Sequence, residues 1–174
     1  MAGHIQHILG NPKTRAAGRV LIVLLGLALA LVAYYRLFGT PLVDAVSVWT
    51  ASSTASVLGL LGTSVSTEGT IVGSADFAYR IVAECTAIGP ILLFVGAVIA
   101  YPATVRNKIL GVGLGIVSLS LINLIRLVSL FYIGAAFPRY LPMAHLLIWQ
   151  AAIIISAILI WLFWVDRASR PAHG

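Results

Sequence analysis

The chain has 174 residues, 60% hydrophobic and only 9% charged, with a mean hydropathy of +1.04. Soluble domains carry about 25% charged residues, so a water-soluble globule is excluded and an integral membrane protein is expected. The net charge is +6, but the basic residues sit at segment ends and form no stripe suited to nucleic acid. The length accommodates one membrane-embedded domain over residues 1–174.

A membrane-crossing helix needs about 20 mainly apolar residues. Taken in chain order, four stretches qualify: residues 20–38, 88–105, 109–133 and 144–165. The first ends in Tyr34-Tyr35-Arg36 and not in a small-x-small cleavage site, so it is expected to remain as an anchor. The second is short and closes on Tyr101-Pro102. The fourth carries Trp149, Trp161 and Trp164 near its ends, where interfacial aromatics belong.

Between the first two lies the only sizeable non-spanning stretch, residues 39–87. Its first part, residues 42–61, holds seven polar residues from Asp44 to Ser56. Leu42, Val46, Trp49, Val57 and Leu60 recur near helical spacing, which predicts an amphipathic helix lying at the interface. Its second part reads as a β-hairpin: Thr70-Ile71-Val72, a Gly73-Ser74-Ala75-Asp76 turn, then Phe77 to Val82. The expected fold is an all-α membrane bundle of about four helices, with an outer amphipathic helix and a small hairpin.

Orientation comes from charge. With four spans and the N-terminus inside, the inner segments hold Lys13, Arg15, Arg19, Arg106, Lys108, Arg167 and Arg170, against Arg80 and Arg139 outside. That bias supports both termini inside. A fifth span at 42–61 would carry one basic cluster to the wrong side. His4, His7 and His173 then fall in the inner tails as solvated residues.

Three unusual polar residues end up at the outer face. Cys85 is the only cysteine, which excludes an intrachain disulfide. It precedes the second span. His145 opens the fourth. Arg126 lies in the third, seven residues short of its outer end, about 10 Å below the surface at 1.5 Å per residue. An arginine at that depth is costly and marks either a function or a pairing. Asn123 shares its helix face, and Glu84 adjoins the thiol.

A thiol attacks as the thiolate. His145 could move the proton, and Arg126, always protonated, could stabilise an oxyanion or bind a carboxylate or phosphate. The set suits acyl transfer through a thioester, ending in hydrolysis or transpeptidation. Two other readings stay open at this level. One is a non-enzymatic assembly or transport subunit in which Arg126 is a structural lock. The other is a cysteine-dependent lipid-linked acyltransferase. No His/Cys/Asp cluster has metal-ligand spacing, and no cofactor is expected.

The string Glu84-Cys85-Thr86-Ala87-Ile88 resembles the signature of the exosortase/archaeosortase family, a cysteine followed by Ser/Thr and a small residue at the head of a membrane helix. Asn123-Leu124-Ile125-Arg126 resembles that family's Asn-x-x-Arg motif, and His145 falls where the family has a third polar residue in the next span. The likeness covers roughly residues 69–149. Ala87 stands where glycine is common, and the short chain resembles compact subgroups such as exosortase H. The resemblance implies an inner-membrane, multi-pass cysteine transpeptidase whose site faces the extracytoplasmic side. Its partners would be membrane lipid and secreted proteins bearing a C-terminal signal of short motif, hydrophobic helix and basic tail. It would cleave near the motif and transfer the protein to an envelope acceptor. Cys85 would be the nucleophile, Arg126 the oxyanion stabiliser and His145 the acid/base. The basic inner face argues against charge attraction of a basic tail.

Overall fold

A computed structural model describes residues 12–37 and 39–169; the tail histidines His4, His7 and His173 lie outside them. The chain is mostly helical. Helix α1 covers Pro12–Leu37, α2 Pro41–Leu60, α3 Ile88–Ala100, α4 Val105–Ala136 and α5 Trp149–Ser169. Strands β1 (Ser66–Glu68), β2 (Ile71–Gly73) and β3 (Ala78–Arg80) form one antiparallel sheet in the order β1-β2-β3.

Among the described residues, two helical stretches are long and apolar enough to cross a membrane, Val105–Ala136 and Pro138–Ser169. They differ in environment. The most apolar part of the first is 39% buried, that of the second 6%, so α4 is the central helix and α5 turns most of its apolar surface outward. Leu146, Leu147, Ile154, Ile158 and Leu159 are all more than half exposed. A continuous apolar surface of this kind fits lipid and not water.

The short second span, expected over residues 88–105, is helical only to Ala100. Tyr101 turns to an extended conformation before Pro102, as the residue before a proline must tend to do. Thr104 then caps α4, its hydroxyl accepting from the Asn107 N–H at 3.3 Å. Helix α3 packs on α1, α4 and α5. Phe94 lies directly over Gly115, and Trp164 over Gly111. A side chain at either glycine would meet a ring, so these positions set how closely the helices approach.

Helix α2 forms where an amphipathic helix was expected, and the face it packs on the protein carries its small residues. Val43, Ser47, Thr50, Ala51, Thr54 and Leu58 are buried, whereas Leu42, Trp49 and Leu60 are 61%, 66% and 87% exposed. The hydroxyls tolerate burial because each binds a carbonyl one turn back: Ser47 to Val43, Thr50 to Val46 and Thr54 to Thr50, at 2.7–2.9 Å. Small residues then let α2 lie close to α4 and the sheet.

The expected hairpin is present and carries an additional strand. β2 and β3 pair with Val72 opposite Tyr79, and β1 pairs with β2 with Glu68 opposite Ile71. Strand β1 is exposed throughout, so it has no hydrophobic alternation to betray it. Its turn depends on Gly69, with φ of +58°, at the first position of a two-residue loop where type II′ turns place glycine. In β3 the alternation is clear: Phe77, Tyr79 and Ile81 face inward, and Ala78, Arg80 and Val82 are exposed. The core is divided in two. One cluster joins Ala51, Leu58, Val72, Ile81, Cys85, Leu127 and Phe131; the other joins Phe94, Val98, Leu119 and Trp164.

Candidate active site

Cys85 ends a single 3₁₀ turn, Ala83–Cys85, that links β3 to α3. The turn is held locally. The Cys85 N–H donates to Val82 O at 2.8 Å, and the Thr86 hydroxyl donates to Ala83 O at 2.6 Å. The same hydroxyl accepts from the Ile88 N–H at 3.4 Å, at the start of α3. The thiol is free and 7% exposed.

The turn is also bound to α4. Asn123, 4% exposed, donates its side-chain N–H to the carbonyl of Cys85 at 2.9 Å. A carbonyl can only accept, so the amide nitrogen must face it, which leaves Oδ1 buried and unpartnered. One turn further along the same face is Arg126, 3% exposed. Its Nε is buried with no hydrogen-bond partner among the described residues. A buried unpaired donor costs about 1–3 kcal/mol, and more on a charged group, so this guanidinium is poised to receive an acceptor.

His145 lies in a widened helical segment, Ala144–Ile148, between the single turn Leu141–Met143 and α5. Such π turns insert one residue, which rotates the rest of the helix by roughly 100°. His145 is half-buried, and its Nε2 is buried with no hydrogen-bond partner among the described residues. Cys85 and His145 both lie within electrostatic reach of Arg126. Arg126 is therefore the electrostatic neighbour of both. Glu84 is exposed and lines the adjoining cavity.

That cavity, about 620 Å³, is lined mainly by α3 and α5, with Leu31 of α1 and Arg126 of α4. Arg126, Glu84, Thr86 and Gln150 line one end. Along α5 the lining recurs at Gln150, Ile153, Ile154, Ala157, Ile158 and Trp161, a helical stripe about 16 Å long. It is an apolar slot with a charged head.

Tyr79 was not anticipated from the sequence. Its hydroxyl donates to Leu127 O at 3.2 Å, and burial, with the nearby charge of Cys85 second, pushes the phenol well above its usual ionisation range. The alternation Phe77-x-Tyr79-x-Ile81 was the signal that placed it inside. Among the described residues no group of three or more His, Cys, Asp or Glu is placed to hold a metal ion.

The family model described as transmembrane exosortase matches residues 8–164. No curated protein and no solved structure matches the chain.

Proposed function

The chain belongs to the transmembrane exosortase family, and from that premise we propose that it is a membrane cysteine transpeptidase acting on a C-terminal sorting signal of secreted proteins. The observation that carries the reading is Arg126: a buried guanidinium with an unpartnered donor, on the helix to which Asn123 ties the Cys85 turn. Were Arg126 a structural lock, its Nε would be engaged by the protein itself.

His145 takes the Cys85 thiol proton, and the thiolate attacks the carbonyl carbon of the scissile peptide, forming the C–S bond and moving the π electrons to oxygen. Arg126 donates to that oxyanion, a role worth several kcal/mol in a water-poor site. The intermediate collapses with cleavage of the C–N bond, and His145 protonates the departing amine. The acyl group remains on sulfur as a thioester. An acceptor nucleophile from the cell envelope then attacks, His145 takes its proton, and the thiolate departs. Water in the acceptor's place gives hydrolysis. Glu84 lines the cavity, and Asn123 holds the nucleophile's turn. The apolar slot below Arg126 offers the hydrophobic part of the signal a place alongside α5.

The proposed topology is four spans with both termini inside, in the cytoplasmic membrane, as one domain over residues 1–174. Helix α3 has 13 residues, about 20 Å, against a hydrocarbon core of about 30 Å. With its inner end at the interface, its Cys85 end is recessed about 10 Å below the outer surface. That is the depth expected for Arg126, so nucleophile and guanidinium meet inside the outer leaflet.

The test is Cys85→Ala and Cys85→Ser with a co-expressed substrate. Both should abolish processing while the protein still accumulates in the membrane. Processing at the normal rate by Cys85→Ala would refute the proposal. Trapping the covalent intermediate separates a peptidyl thioester from the product of a lipid-linked acyltransferase.

A further inference from the structure

The three-stranded sheet does more than lead the chain to Cys85. It grips α4 just beyond Arg126. The Tyr79 hydroxyl donates to Leu127 O at 3.2 Å, and the Tyr79 ring lies 6.0 Å from that of Phe131. Phe77 stacks on Tyr79 at 5.9 Å and meets Phe131 edge-on at 5.6 Å. Its ring occupies the space left by Gly134. Tyr132, whose ring meets Phe131 edge-on at 6.0 Å, shares a 2.8 Å hydrogen bond with the Thr63 hydroxyl. On the other side of Arg126, Asn123 binds the Cys85 carbonyl. The segment carrying the thiol is thus bonded to α4 at positions 123 and 127, and Arg126 lies between the two bonds.

Leu127 is a helix residue whose carbonyl has an acceptor site to spare. A phenylalanine at position 79 would fill the same space without burying a hydroxyl, whose desolvation costs free energy unless a partner is found. The hydroxyl's distinctive contribution is to fix the position of β3 along α4. A sliding contact between rings cannot do this, because ring packing tolerates shifts that a directed O–H···O bond does not.

We propose that Tyr79 is a positioning residue for Arg126: its bond to the Leu127 carbonyl, together with the Asn123 bond, holds the guanidinium in register with the Cys85 turn. The inference rests on the reading that Arg126 serves the chemistry at Cys85, and adds that its positive charge favours the attacking sulfur anion as well as the oxyanion; the test separates the two. The readout is the rate of Cys85 alkylation by iodoacetamide against pH, in the purified full-length chain in detergent. It requires no substrate, and Cys85 is the only thiol. A displaced arginine stabilises the thiolate less, so less of it is present at a given pH. Tyr79→Phe should slow alkylation at neutral pH about two- to tenfold, the weight of one net hydrogen bond, and move the rise of the profile to higher pH. Arg126→Gln should move it at least as far, and the double variant no further than Arg126→Gln alone.

Tyr132→Phe removes the other hydroxyl bond between this region and α4. It should leave the profile in place, which separates positioning from general loosening of the contact. The proposal is overturned if Tyr79→Phe is superposable on the parent, if its effect adds in full to that of Arg126→Gln, or if Tyr132→Phe shifts the profile equally. Movement with Tyr79→Phe but none with Arg126→Gln refutes the action of Arg126 on the thiol and, with it, this route. Movement with Arg126→Gln but none with Tyr79→Phe refutes the positioning role alone.

Discussion

Asn123 offers the sharpest test of how the site is held together. Its side chain joins two segments 38 positions apart through one 2.9 Å bond to the Cys85 carbonyl. Asn123→Ala leaves that carbonyl without the amide's proton in a buried setting, at a cost of about 1–3 kcal/mol. For a domain of this size each kcal/mol corresponds to about 2–4 °C in Tm, so a fall of a few degrees is expected in detergent. The effect on processing should be larger than the effect on stability. The bond fixes the thiol's turn against the Arg126 helix, and a displacement of about 1 Å at a reacting centre can cost about 100-fold in rate. Asn123→Asp distinguishes geometry from packing. A carboxylate has nearly the same shape but cannot donate to a carbonyl, and it sets a negative charge one helical turn from Arg126. The aspartate can pair with the arginine, so it should retain more stability than alanine yet lose processing as severely. The assays are thermal unfolding of the purified protein and the fraction of co-expressed substrate processed over time. Normal processing by either variant, at normal protein levels, would refute the reasoning.

The packing and charge of the fold set two further outcomes. Gly115→Ala drives a methyl into the Phe94 ring and should destabilise by about 1–3 kcal/mol, the range for overpacking a well-filled core; Gly113→Ala, with open space around it, should be neutral or gain up to about 1 kcal/mol from helix propensity. Thermal unfolding of the two side by side checks this. The Tyr79 phenol ionises well above its ordinary range in the fold, so the folded chain keeps a proton that the unfolded chain releases above about pH 10. Its contribution is fully present below that pH and is lost as the pH climbs toward the folded-state value, and Tyr79→Phe should flatten the fall of Tm between about pH 10 and 12.

What the chain offers on the site is depth along single helices. Charge bias and apolar length lead to the expectation that Cys85, Arg126 and His145 share one face, and the helical repeat puts Asn123 on the face of Arg126. What they could not supply was contact in the plane of the membrane. The Asn123–Cys85 bond, the position of Arg126 as neighbour to both Cys85 and His145, and the π turn at residues 144–148 arise from packing between segments far apart in sequence. Strand β1 went unseen because Ser66-Thr67-Glu68 is exposed on both sides and carries no alternation; only its partner β2 makes it a strand. Which face of α2 packs on the protein was not legible for a related reason. In water its large apolar residues would be driven inside, but next to lipid they lose nothing by facing outward, and the small hydroxyl residues permit the closer helix contact.

The sequence by itself determined the membrane class, the helical segments, the family and the identity of the residues worth testing, because composition, length and motif are local properties. The tertiary structure decided which of those residues touch. It bound the Cys85 turn to α4 through Asn123, brought Tyr79 over Leu127, and left the Arg126 Nε buried without a partner among the described residues. Contacts of that kind depend on side-chain packing between distant segments, which hydropathy and periodicity do not encode.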